Sequence, residues 1–232
     1  MICVSGISSL RAGADGLIAP DIPGGVRKRC GLRRADRYTA IAVAAAQEAA
    51  QDSPWRGKLP EDTGVIVAGF PGPHNTTAAF LDELLDYPED QVLSAAFTHS
   101  VFNAAASYIA LVLGVRGPEF SVTGVDDLLY EAFASADSMF RTGYCRRILL
   151  VTVLEKGVLT SVLEQAGFPA SAEYALAWVL SADPEEARYG RIETAEGPAA
   201  GEADPLKTAE LIRAMGNQDL TVLKKGVVLC RN

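Results

Sequence analysis

The sequence predicts an α/β domain built on a largely parallel sheet with helices on both faces. Three observations point there. Short runs rich in β-branched residues alternate with helical stretches along most of the chain, the order that produces crossover connections and parallel strands. Two of those runs, residues 64–69 and 148–153, are almost wholly apolar, as strands covered on both faces must be. Residues 37–51 are alanine-rich and hold no glycine or proline, which suits one long packed helix.

Taken in order, residues 2–9 are short, β-branched and read as the first strand. The helix over 37–51 stops at Asp52-Ser53-Pro54. A strand over 64–69 follows, and Asn75-Thr76-Thr77 then offers caps for a helix reaching Leu85. The next helix, 101–113, ends at Gly114, a residue suited to a left-handed stop. Residues 120–123 form a strand, and 126–141 a helix closed by Thr142-Gly143. Strands over 146–154, 174–180 and 191–194 complete the alternation. Past Glu196 the character changes. Residues 197–205 have linker composition, 206–215 suit a helix, and 220–229 suit a strand or an extended tail. The organisation expected is one domain over 1–195, with a linker and C-terminal tail, 196–232, packing on it.

A chain of 232 residues is long enough for one sizeable core. A net charge of -8 argues against a nucleic-acid partner, because little could displace counterions from phosphates over a broad surface. Basic residues gather once, in Arg27, Lys28, Arg29, Arg33 and Arg34. They read either as a solvated loop or as a docking patch for an acidic partner. Cys3, Cys30, Cys145 and Cys230 are scattered and form no C-x-x-C pair, and the only histidines are His74 and His99. A disulfide framework, a zinc site and histidine-based catalysis are therefore not expected, and no cofactor is implied. The N-terminus lacks a signal-peptide pattern and no apolar run reaches spanning length, so the expectation is a cytoplasmic protein with no membrane partner.

Four stretches, in order, carry a family resemblance. Asp36-Arg37-Tyr38 opens the alanine-rich helix, and Thr63-Gly64-Val65-Ile66-Val67-Ala68-Gly69 follows. Then come Asn103-Ala104-Ala105-Ala106-Ser107-Tyr108-Ile109-Ala110 and Gly114-Val115-Arg116-Gly117-Pro118. Singly each is common; together, in this order and spacing, they resemble the N-terminal half of β-ketoacyl synthases, condensing enzymes of thiolase-like fold. The resemblance implies one half of that fold, a five-stranded mixed sheet flanked by helices.

In active members the strand after G-P leads into a sharp turn bearing a cysteine at a helix N-terminus, where the helix end lowers the thiol pKa. Here Asp126 occupies that position, within Thr123-Gly124-Val125-Asp126-Asp127. Aspartate there reads as a helix cap, and no catalytic residue is assigned. The H-G-T-G-T and N-x-x-G-F-G-G stretches of the C-terminal half have no counterpart after Leu180, and complete enzymes are roughly twice this length. His99 matches no catalytic histidine and reads as a loop or interface residue. His74, among prolines, is weak evidence for a ligand. Cys145, beside Arg146 and Arg147, is the alternative nucleophile if those arginines lower its pKa.

The same resemblance makes 126–141 a central helix. Its Leu129, Phe133, Ala136, Met139 and Phe140 are too apolar for open solvent, so the tail or a second chain is expected to cover them. The strand 120–123 would pair across a two-fold axis. The partners implied are a homodimer or a heterodimer with a full-length β-ketoacyl synthase, with acyl carrier protein a further partner. Three functions stay open. One is a non-catalytic, chain-length-factor-like homologue in fatty-acid or polyketide-type biosynthesis. The others are an acyl-thioester-processing enzyme with residual synthase or decarboxylase activity, and a scaffold without acyl chemistry.

Overall fold

The computed structural model describes residues 2–92, 94–124, 128–167, 170–194, 220–224 and 227–230. The strands are β1 (Ile2–Arg11), β2 (Gly64–Ala68), β3 (Glu119–Val122), β4 (Arg147–Leu154), β5 (Tyr174–Ser181), β6 (Arg191–Thr194), β7 (Leu220–Lys224) and β8 (Val227–Cys230). The helices are α1 (Asp21–Arg29), α2 (Arg37–Asp52), α3 (His74–Asp86), α4 (Ser94–Ser100), α5 (Ala104–Leu113), α6 (Leu128–Arg141) and α7 (Thr160–Gln165).

One sheet runs in the order β3-β2-β4-β5-β1-β6-β8-β7. β2 pairs in parallel with both β3 and β4, whereas β5 is antiparallel to β4 and β1. The mixed five-stranded sheet expected from the resemblance is thus β3-β2-β4-β5-β1. The described residues carry three strands more. β6 joins β1 only at Ile2 and Cys3, and β8 and then β7 add to β6 in antiparallel register. Residues 220–229, read as one strand or tail, are two paired strands. The helix expected over 206–215 lies outside the described residues.

Local sequence explains the helix ends. The Asp36 side chain accepts from the Thr39 amide at the start of α2, satisfying a donor the first turn leaves free. α5 stops at Gly114 in left-handed conformation (φ 68°), which glycine adopts without penalty. Gly6 in β1 sits so close to α2 that a Cβ there would meet the Ala49 carbonyl at 2.4 Å.

The core has two layers, one on each face of the sheet. On one, α2 and α5 bury Ile41, Val43, Ala45, Ala49 and Ile109 against Val65, Val67, Leu149, Val151 and Val179. On the other, α6 packs Leu129, Phe133, Ala136 and Met139 against Ile66, Ile148, Leu150, Trp178 and Ile192. This corrects the expectation that the tail or a second chain must cover the apolar stripe of α6. Phe133 is fully buried, edge-on to Trp178 at 5.5 Å, because the chain's own sheet takes the apolar stripe. The face turned outward carries Glu131, Ser138 and Arg141 instead. Its apolar content therefore supplies no reason to associate.

Candidate functional site

Parallel neighbours place their carboxyl ends side by side, and ligands of open α/β sheets bind outside that edge. Here the edge is formed by Val122 of β3, Ala68 of β2 and Leu154 of β4. The amide of Gly69 donates to the Val122 carbonyl at 3.1 Å, so Thr123-Gly124, the approach to the nucleophile turn, lies beside Gly69. Asp126 itself lies outside the described residues.

Behind this edge a polar cluster is assembled from elements far apart in sequence. Arg37, at the start of α2, clamps Glu173 just before β5. Its Nε donates to Oε1 at 2.8 Å and its Nη2 to Oε2 at 2.6 Å, while Nη2 also donates to the Ile18 carbonyl. The Ile18 amide donates to Glu173 as well, at 2.8 Å. A buried carboxylate held by a bidentate guanidinium and an amide is fully satisfied. Asp36, having capped α2, accepts a second bond from the Thr76 hydroxyl of α3 at 2.8 Å. Tyr38 is buried with its hydroxyl against Gly69, where a Cβ would come within 2.4 Å; burial, then Glu155 and Asp36, pushes its pKa up. The Asp-Arg-Tyr signature is thus a structural fastener joining α2, α3 and β5.

Glu155 follows β4 directly and is 2% exposed. It accepts from the amide of Asn75 at 3.1 Å. Burial foremost raises its pKa from 4.5 to about 7; the Asn75 bonds oppose that shift, and the Asp36 and Glu173 carboxylates add to it. His74 Nδ1 lies 3.7 Å from Glu155 and 3.3 Å from the Gly72 carbonyl. The 3.7 Å separation is within ion-pair range, but burial lowers the His74 pKa as it raises that of Glu155. The two shifts run against an ion pair, because burial favours the neutral form of each group. A carbonyl only accepts, so Nδ1 carries the proton and donates to Gly72, leaving Nε2 a buried acceptor without a partner among the described residues.

The other candidates fall elsewhere. His99 lies in α4 and stacks on Tyr108 at 5.7 Å. Cys145 is buried, and its thiol is pushed up to about 11, first by burial and then by Asp62. That overturns its activation by neighbouring arginines, since Arg147 turns to Glu186 and Arg146 to Asp183. Cys3 is likewise buried with a raised pKa, mainly through burial. Lys28, Arg29, Arg33 and Arg34 are exposed at the end of α1 and in the loop after it, and no ion pair is formed by them among the described residues. The described residues hold no group of three or more His, Cys, Asp or Glu arranged for a metal, and no helix long and apolar enough to cross a membrane.

Sequence reading missed Glu155 and Glu173. Each is one acid abutting an apolar strand, a pattern that ordinarily marks a solvated turn.

Residues 27–149 match the family described as Beta-ketoacyl synthase, N-terminal domain. The chain belongs to that family. No curated protein matches this synthase-family chain by sequence. Solved structures do match in fold. One is titled the ishigamide ketosynthase/chain length factor, at TM-score 0.65 and 17% identity, covering 83% of this chain and 66% of that one. A second is a ketosynthase in complex with its chain length factor from Xenorhabdus doucetiae, at TM-score 0.64 and 14% identity, covering 98% of this chain and 97% of that one. A third is a beta-ketoacyl synthase from Burkholderia phymatum STM815, at TM-score 0.62 and 14% identity, where this chain spans 58% of the other. At these identities the likeness is one of fold.

Proposed function

We propose that the chain is a non-catalytic β-ketoacyl synthase homologue, chain-length-factor-like, that pairs with a full-length synthase in fatty-acid or polyketide-type biosynthesis. The observation that carries this reading is Asp126 at the nucleophile position of a family whose presenting elements, β3 and α6, are both in place. Condensation begins with thioester exchange onto a thiolate. A carboxylate at a helix N-terminus caps amides instead. The buried Cys145 thiol offers no substitute.

Two surfaces support partnership. β3 ends the sheet, with Phe120, Ser121 and Val122 half-buried, a free edge suited to pairing. The neighbouring α3–α4 pair exposes Leu81, Leu84, Leu85, Tyr87 and Phe97, Leu85 at 85%, more clustered apolar surface than a lone domain usually shows. The exposed arginines after α1 would suit an acidic acyl carrier protein. In this reading residues 1–195 are the synthase-like domain, 196–232 are a linker and tail packing on it, and the protein works in the cytoplasm without a cofactor.

The test is co-expression with a full-length synthase and carrier protein, followed by an acyl-thioester pulse and intact-mass analysis. The complex should form, and the adduct should sit on the synthase alone. Ser121→Pro, which removes a donor from the free edge because Val122 and its alternate residues face β2, should weaken the complex at least tenfold. An adduct on residues 120–130 of this chain would establish the acyl-processing enzyme instead. A monomer that ignores the synthase would leave the scaffold.

A further inference from the structure

We propose that Glu155 acts as a proton-operated latch that holds the amino end of α3 against the carboxyl ends of β2 and β4. The proposal does not depend on the partnership above.

The charged and titratable groups facing Glu155 come from every element around it. The start of α2 supplies Asp36, Arg37 and Tyr38, α3 supplies His74, and Glu173 stands just before β5, with Tyr174 acting on Tyr38. Lys156 is adjacent in sequence, but its Nζ donates away, to the Asp15 carbonyl. Three carboxyl groups therefore converge beside one guanidinium, and that guanidinium is committed to Glu173. Asp36 holds two donors of its own. Among the described residues Glu155 is left with the Asn75 donors, and with the neutral His74 ring 3.7 Å away. A buried carboxyl so placed is tolerable when protonated and costly when ionised.

Packed against Glu155 is the first turn of α3, whose Asn75 bonds offset only part of the cost of ionising it. The Asn75 amide meets Glu155, its Nδ2 donates to the Lys156 carbonyl and its Oδ1 accepts from the Val158 amide. The fit is close, since a Cβ on Gly157 would lie 1.8 Å from Asn75 Oδ1. Two residues on, the Thr77 hydroxyl donates to the carbonyl of Ser100, the last residue of α4. Ionising Glu155 is relieved by letting water in, and the yielding piece is this turn, whose N-cap Pro73 makes no side-chain capping bond. Movement there reaches the 156–158 loop and the α3–α4 pair together.

The sign follows from the directions of the two shifts. Glu155, raised from 4.5 to about 7, keeps its proton up to about pH 7 and loses it above. His74, lowered from 6.5, is already neutral there and cannot supply the change. The latch is therefore tightest below about pH 4.5, loosens as the pH rises toward about 7, and is fully loosened above that.

Hydrogen exchange on the intact protein, corrected for intrinsic rates, tests this over about pH 6 to about pH 8.5. Protection of residues 74–80 should fall about tenfold while α2 holds steady, and Glu155→Gln should abolish the dependence. A flat wild-type profile, or a dependence that survives in Glu155→Gln, would overturn the latch. Should that variant not fold, carboxyl-carbon NMR of glutamate-labelled wild type decides. One glutamate titrating near pH 7 in step with exchange supports the latch; all titrating below about pH 5.5 would end it.

Discussion

The two long helices, α2 and α6, cover opposite faces of one sheet by opposite means. α2 is buried almost all round and does it with small residues, Ala40, Ala42, Ala44, Ala45, Ala46, Ala49 and Ala50 among them. It lies so close that Gly6 of β1 nearly touches its backbone. α6 buries one stripe with large side chains, Leu129, Phe133 and Met139, and turns Glu131, Ser138 and Arg141 outward. So α2 is the interior helix of this chain, while α6 behaves as an ordinary amphipathic surface helix. The thiolase-like resemblance had placed α6 at the centre.

Substitutions can break this contrast. The largest effect belongs to Phe133→Ala, which empties the centre of the α6 layer beside Trp178. Truncating a buried phenylalanine costs about 3–5 kcal/mol, and urea unfolding should show that loss. A loss below about 1 kcal/mol would mean that α6 does not seal that face. Next comes Gly6→Ala. Its methyl would meet the Ala49 carbonyl at 2.4 Å and Ser53 Cβ at 2.9 Å, and backbone that must shift costs typically 1–3 kcal/mol. A neutral result would show that α2 stands further off. The smallest effect is expected for Ser138→Leu on the outer face of α6, within about 0.5 kcal/mol. A larger change, or altered sedimentation, would show that the face is covered in the assembled protein.

Much of the fold was legible. Residues 37–51 became α2 almost to the residue, and the run from Ile148 became β4, because continuous local patterns survive packing. α1 was missed, since Pro23, Gly24 and Gly25 hide a helix behind turn-forming composition. The site was half legible. Asp36-Arg37-Tyr38 was visible as a signature, but not as a clamp on Glu173, which lies 136 residues away. The expectation for Cys145 failed for a related reason. Adjacent arginines lower a thiol pKa only if they face it, and Arg147 points to Glu186.

By itself the sequence determined the α/β class, the order of its main elements, the family and the aspartate at position 126, since these rest on residue type and spacing along the chain. Only the tertiary structure decided which helix is interior, that the sheet extends through β6, β8 and β7, and that Glu155 is deprived of water. Those are properties of what surrounds a residue. A carboxyl's charge state depends on the dielectric and the donors that distant segments bring to it, and neighbours in sequence do not specify them.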